Sequence, residues 1–170
     1  MNIVLTGFMA TGKSVVGKLV SQRLRYAFFD TDDMIEKQTG HTIADLFAKG
    51  GEPAFRDLEA KTVGLVALMD KAVIATGGGV PLRKSNMDEL ARNGRIFLLT
   101  ASPEVLVRRL NLDAVPRPLL AGSNPLDRVR DLLRERAQAY SHCHETIPTD
   151  LLTDQQVADI ISERVLKGAL

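Results

Sequence analysis

The chain has 170 residues and a mass of 18.6 kDa, with 45% apolar and 25% charged residues, which suits one globular domain and excludes a disordered or fibrous protein. Twenty-two Lys and Arg against 21 Asp and Glu leave a net charge of +1, which argues against a general binder of nucleic acid or of anionic membrane. A single cysteine, Cys143, rules out an intrachain disulfide and points to a reducing, cytoplasmic compartment.

Taken in chain order, short apolar runs alternate with longer periodic ones. Asn2 to Thr6 reads as a buried strand ending at Gly7, and Lys13 to Arg25 as a helix with apolar residues at helical spacing. The apolar opening lacks a preceding basic residue and soon meets Lys13, so it does not read as a signal peptide, and no segment has the length of a membrane span. Ala27 to Phe29 is a second strand, ending in Asp30. Asp33 then offers an N-cap with Glu36 three residues on, the pattern of a capping box. Two helical stretches are expected from Asp33 to Met69, broken near Gly50 and Gly51. Ala72 to Thr76 is a third strand, Lys84 to Asn93 a helix, and Arg95 to Thr100 a fourth strand. A helix over Glu104 to Leu110 follows Ser102 and Pro103, a cap with proline at the first helical position. Leu112 to Pro125 holds three prolines and little periodicity and is expected to be a loop. Asp127 to Tyr140 is helical, Glu145 to Thr149 a weak fifth strand, and Asp154 to Leu166 a closing helix. Strand then helix, repeated, implies a three-layer α/β/α domain around a parallel sheet of five strands.

The strongest chemical signal is Gly7-Phe8-Met9-Ala10-Thr11-Gly12-Lys13-Ser14, which fits GxxxxGK[ST] between a strand and an amphipathic helix. Gly7 and Gly12 allow backbone angles closed to other residues and a close approach to phosphate. The amides of Ala10, Thr11 and Val15 and their neighbours, at a helix N-terminus, face an anion. Lys13 adds a charge for the β- and γ-phosphates, and Ser14 offers a hydroxyl to Mg²⁺.

The acceptor side is read from four further segments. Asp30 and Asp32 lie at the C-terminal end of the second strand, the edge where open parallel sheets bind ligands. One carboxylate suits a Mg²⁺ water shell and the other a proton from an attacking hydroxyl. Arg56 and Glu59 share a helical face, as a surface ion pair or as an arginine oriented toward a substrate carboxylate, and spacing does not choose between them. Gly77, Gly78 and Gly79 end the third strand, where close approach of bare backbone to a ligand accounts for the run better than a plain turn. Arg117 sits in the proline-bearing loop, a lid from which it would reach the transferring phosphoryl group. Arg136 and Tyr140 form an i, i+4 pair that is ordinarily surface packing, with Arg136 a second candidate for a carboxylate.

In that order GFMATGKS, FFDTDDMIE, GEPAFRDLE, ATGGG, RPLL and RERAQAY closely resemble the shikimate kinase family over Met1 to about Tyr140. The resemblance implies the P-loop fold of the nucleoside-monophosphate-kinase type with a lid over about 112–125 and substrate-binding helices over about 32–62. It implies transfer of the ATP γ-phosphoryl group to the 3-hydroxyl of shikimate, in the chorismate route to aromatic amino acids, with Mg²⁺ as cofactor. Lys13 and Ser14 would bind phosphate and metal, and Asp30 would support the metal's waters. Asp32 would hold the shikimate hydroxyls and act as base. Arg56 and Arg136 would clamp the carboxylate, Glu59 would orient Arg56, and the Gly77–Gly79 backbone would touch the substrate. Arg109 would lie against adenine and Arg117 would reach the phosphates.

Two features depart from the family. His142, Cys143 and His144 follow Tyr140, but three adjacent ligands without a second cluster make poor zinc geometry. Pro116 stiffens the lid beside Arg117. A gluconate-type or monophosphate kinase on the same scaffold, or a nucleotide-binding module without transferase activity, remains the alternative to be separated by assay. A monomer is the expected state, with no nucleic acid or membrane partner.

Overall fold

The computed structural model describes residues 1–112 and 124–168. Its five strands are β1 (Asn2–Gly7), β2 (Ala27–Asp30), β3 (Ala72–Ala75), β4 (Gly94–Thr100) and β5 (Glu145–Pro148). They form one parallel sheet in the order β2-β3-β1-β4-β5. Period-two alternation divides its side chains between two faces. Ile3, Leu5, Val73, Phe97 and Leu99 point to one face, where helices α1 (Lys13–Leu24) and α7 (Asp154–Lys167) cover them with Val16, Val20, Val157 and Ile161. Val4, Ile74 and Ile96 point to the other, under α3 (Ile43–Ala67) and α4 (Lys84–Ala91). A third cluster joins Phe8 and Leu98 to α5 (Pro103–Leu112) and α6 (Pro125–Tyr140) through Leu106, Val129, Leu132 and Tyr140.

The expected strands and helices are all present, with shifts that have physical causes. The helix after β2 is α2 (Thr31–Thr39), and its cap is Asp30, not Asp33: the Asp30 carboxylate accepts from the Asp32 N–H at 3.0 Å. Asp33 therefore lies inside the first turn, where its charge still favours the helix dipole. Glu36 closes no box either. Its Oε1 accepts from the Ile43 N–H at 2.8 Å and so ties α2 to the start of α3, which has its own capping box in Thr42 and Asp45. Gly51, at φ 71 and ψ 177, breaks α3 where the two glycines predicted a break, and Pro53 follows in the first turn of the second half. The helix of α6 begins at Pro125, earlier than expected, with Asn124 as cap. Most of the expected lid, Arg117 included, lies outside the described residues.

Because every strand is parallel, the C-terminal ends of β1, β2 and β3 meet at one edge. The chain crosses the sheet in opposite directions on either side of β1, so this edge is also the switch point where α/β sheets open a crevice.

Candidate active site

The loop after β1 carries its conformation in its own sequence. Gly7 (φ 143), Ala10 (φ 62) and Gly12 (φ 93) are left-handed, and a Cβ on Gly7 would stand 2.3 Å from the Leu99 carbonyl of β4. Inside the turn, Thr11 Oγ1 and Lys13 Nζ both donate to the Phe8 carbonyl at 2.8 Å. Gly12 caps α1 without a side chain, which leaves the first helical amides to a ligand.

Next to this cradle stands a row of acids. Ser14 Oγ donates to Asp30 Oδ2 at 2.5 Å, so a hydroxyl and a carboxylate sit side by side at the start of the phosphate helix. That donor set, hard oxygens beside a phosphate cradle, fits a magnesium ion. Among the described residues, Asp32 Oδ1 is shut off from solvent and has no hydrogen-bond partner. Burial pushes the Asp32 carboxyl up to about 7, helped by the charges of Asp30 and Glu59 and opposed by Lys13. A buried acceptor without a donor is a costly arrangement in a folded chain and marks a place for a hydroxyl or a cation.

The three glycines after β3 have three different reasons. A Cβ on Gly77 would lie 2.4 Å from Asp32 Oδ1 and 2.8 Å from Glu59 Oε1, so only glycine admits both carboxyl groups. The Gly77 N–H is itself taken by Thr31 Oγ1 at 2.8 Å. A Cβ on Gly79 would stand 1.8 Å from Arg56 Nη1. Gly78 has room for a Cβ, and its carbonyl accepts from the Tyr140 hydroxyl at 2.8 Å.

Arg56 leaves the second half of α3 with its plane packed near the rings of Phe47 and Phe55, 5.9 and 5.5 Å from their centroids. Its Nη1 donates to Glu59, which is buried, while Nε and Nη2 donate to Glu52 Oε1 at 3.1 and 2.7 Å. Burial pushes the Glu59 carboxyl up against the pull of Arg56 and Arg136. Arg136, on α6, is also buried, 5.9 Å from the Phe8 ring centroid. Tyr140 one turn later is buried as well, so the surface packing ordinary for such a pair is corrected: both side chains face inward, Arg136 to the cavity and Tyr140 to the Gly78 carbonyl. The signal missed was the apolar face that α6 turns toward Phe8 and Leu98.

One cavity of about 690 Å³ collects these groups. Ala10, Gly12, Lys13, Ser14, Val15, Asp30, Asp32, Arg56, Glu59, Gly78, Gly79 and Arg136 all line it, from five separate stretches of chain. Gly7, Thr11 and Gly77 do not line it. Arg109 stands apart and binds the phosphate loop to the end of β5, donating to the Ala10 carbonyl at 3.3 Å and to Thr149 Oγ1 and O at 2.9 and 2.8 Å. Met9, Phe47, Phe55 and Glu36 line the cavity without having been singled out as site residues. The His142–His144 segment is turned to structural use: His144 Nδ1 accepts from the Ile96 N–H at 2.9 Å, and Cys143 lies 3.7 Å from Thr146 Oγ1. Among the described residues no group of three or more His, Cys, Asp or Glu side chains is placed to hold a metal.

A phosphate loop at the switch point of a 2-3-1-4-5 parallel sheet, opening on a cavity with acids and arginines beyond the phosphates, defines a P-loop kinase of the nucleoside-monophosphate-kinase type. The profile of the shikimate kinase family matches residues 9–166, and the chain belongs to that family of ATP-dependent phosphotransferases. The shikimate kinase of Thermodesulfovibrio yellowstonii is 46% identical over 160 residues, 94% of this chain and 92% of that protein. Among solved structures, the shikimate kinase of Acinetobacter baumannii in complex with shikimate superposes with a TM-score of 0.93 at 35% identity, covering 99% of this chain and 94% of that one. The Aquifex aeolicus shikimate kinase gives 0.86 at 32% identity, covering 100% and 99%.

Proposed function

We propose that the chain transfers the γ-phosphoryl group of ATP to the 3-hydroxyl of shikimate, giving shikimate 3-phosphate and ADP. The observation that carries this reading is the meeting of Arg56 and Arg136, from helices far apart in sequence, in one cavity with Asp32 and the phosphate loop. Shikimate presents one carboxylate and three hydroxyls, and two guanidinium forks with one aspartate suit that inventory.

The residues divide the work as follows. The amides of the Gly7–Ser14 loop and Lys13 hold the nucleotide phosphates. Ser14 would ligate Mg²⁺ and Asp30 would hold one of its waters, and the ion neutralises charge on the β- and γ-oxygens when bound. Arg56 and Arg136 bind the substrate carboxylate, with Glu59 fixing the plane of Arg56. Gly78 and Gly79 bring backbone flush against the substrate. Asp32, which lines the cavity, receives the 3-hydroxyl proton at its carboxylate. As the hydroxyl oxygen bonds to the γ-phosphorus, the bond from phosphorus to the bridging oxygen of ADP breaks and the proton passes to Asp32. A carboxyl held near neutrality suits that transfer. Arg109 against adenine, and Arg117 over the phosphates from a lid within a single domain, complete the assignment.

The proposed working unit is a monomer. The lone Cys143 suits the cytoplasm, and among the described residues no helix is long and apolar enough to cross a membrane.

A coupled ADP-release assay with shikimate, gluconate and AMP tests the acceptor. Turnover is expected with shikimate alone. Arg56→Ala should raise the shikimate KM roughly tenfold or more, the loss of a charge-assisted hydrogen bond, with little change in the ATP KM. Turnover of gluconate or AMP instead, or equal loss for both substrates, refutes the assignment.

A further inference from the structure

Arg56 has five N–H donors, and three are already committed to carboxylates of its own helix. The two partners differ in kind. Glu59 is 1% exposed and wedged against Gly77, where even a Cβ would meet its Oε1, so it cannot withdraw. Glu52 is 50% exposed and starts the second half of α3, directly after the left-handed Gly51. Its side chain can turn into water at little cost. Yet Glu52 takes the Nε/Nη2 edge, one of the two edges of a guanidinium that grip a carboxylate with parallel hydrogen bonds.

We infer that Glu52 is a displaceable internal counter-ion, which holds the Nε/Nη2 edge of Arg56, one of its two carboxylate-gripping edges, and yields it to the carboxylate of the acceptor. The inference rests on the assignment of Arg56 to that carboxylate. Orientation of the guanidinium does not need Glu52. Phe47 and Phe55, 4.6 Å apart between centroids, pack against it, and Glu59 holds Nη1. What Glu52 adds is a second negative charge on a cation that Glu59 already balances. Lys13 and Arg136 line the cavity along with Asp30, Asp32 and Glu36 while Glu52 lies outside it, so its effect on an entering carboxylate is exerted through its hold on Arg56. Binding of any acid at Arg56 is therefore an exchange of one carboxylate for another, and only an acid whose hydroxyls make further contacts gains much by it. Glu52 thus weakens every carboxylate at the arginine by one common factor, and an acid with further contacts can bear that cost while a simple one binds poorly.

Glu52→Gln keeps the shape and removes the charge. Steady-state kinetics on this variant should show the shikimate KM falling roughly two- to fivefold, the scale of a partly exposed ion pair, with the ATP KM unmoved. The inhibition constant of cyclohex-1-enecarboxylate, an acid without hydroxyls, should fall by the same factor, while that of shikimate carboxamide, which is neutral, should not change. A purely structural role for Glu52 would move the carboxamide and the acid together. Arg56→Ala is run beside it. If Arg56→Ala weakens shikimate but Glu52→Gln leaves its KM unchanged or raises it, Glu52 is not a displaced competitor. If Arg56→Ala leaves shikimate binding intact, the carboxylate assignment itself fails and the exchange falls with it.

Discussion

Asp32 carries a cost to the fold that can be measured apart from catalysis. Its carboxyl ionises near 7 in the folded chain against the usual 3.8, because burial and the charges of Asp30 and Glu59 disfavour the anion. The folded pKa is above the unfolded one, so this group's contribution to stability is fully present below about pH 4 and is lost as pH rises through about 7. At 1.36 kcal/mol for each pKa unit, a rise of this size corresponds to a cost on the order of 4 kcal/mol at pH 8. Asp32→Asn removes the ionisation and keeps the shape, though its amide needs partners of its own, so a gain of ~2–4 kcal/mol is expected. For a chain of this length that is a rise in Tm of roughly 5–10 °C. Thermal melts of both proteins across pH 4 to 8, without nucleotide, provide the assay. The stability difference should move in the variant's favour by about 4 kcal/mol between pH 4 and pH 7.5 and hold constant above that, while kcat of the variant falls by roughly 10²–10⁴. Melting curves with a separation that does not depend on pH would refute the raised pKa, and with it the match of Asp32 to a proton acceptor working near neutrality.

Two further substitutions probe the walls of the site. Gly79→Ala drives a methyl group into Arg56, where the Cβ would stand 1.8 Å from Nη1, so the shikimate KM should rise by roughly tenfold or more while nucleotide binding, followed by fluorescence titration, holds. Tyr140→Phe removes the 2.8 Å hydrogen bond to the Gly78 carbonyl, and urea melts should show a loss of ~1–3 kcal/mol; no loss would mean that water satisfies the carbonyl equally well.

How far the site could be read ahead of the structure depended on how far along the chain each interaction reaches. The phosphate loop was legible because eight consecutive residues contain both its left-handed positions and its ligands. Arg56 with Glu59 was legible as a contact, since spacing of three on a helix brings side chains together, but not as a buried one. The DTDD run after β2 offers three aspartates as a cap, and only the meeting of strand and helix at Asp30 selects among them. The glycine run predicts close approach of a ligand to bare backbone, yet what approaches Gly77 and Gly79 is the chain's own Asp32, Glu59 and Arg56, and Gly78 has room for a side chain. That distinction depends on contacts across 18 residues and more of sequence. Tyr140 reaches across 62 residues to Gly78, and no pattern within α6 foretells a hydrogen bond to a carbonyl there. Glu52 stands between these extremes. It is four residues from Arg56, well within helical reach, but it lies at the break beside Gly51, where a reading by periodicity stops one helix and starts another. The same break that hid Glu52 leaves it exposed at a helix start, free to turn away from Arg56 while the buried Glu59 stays in place.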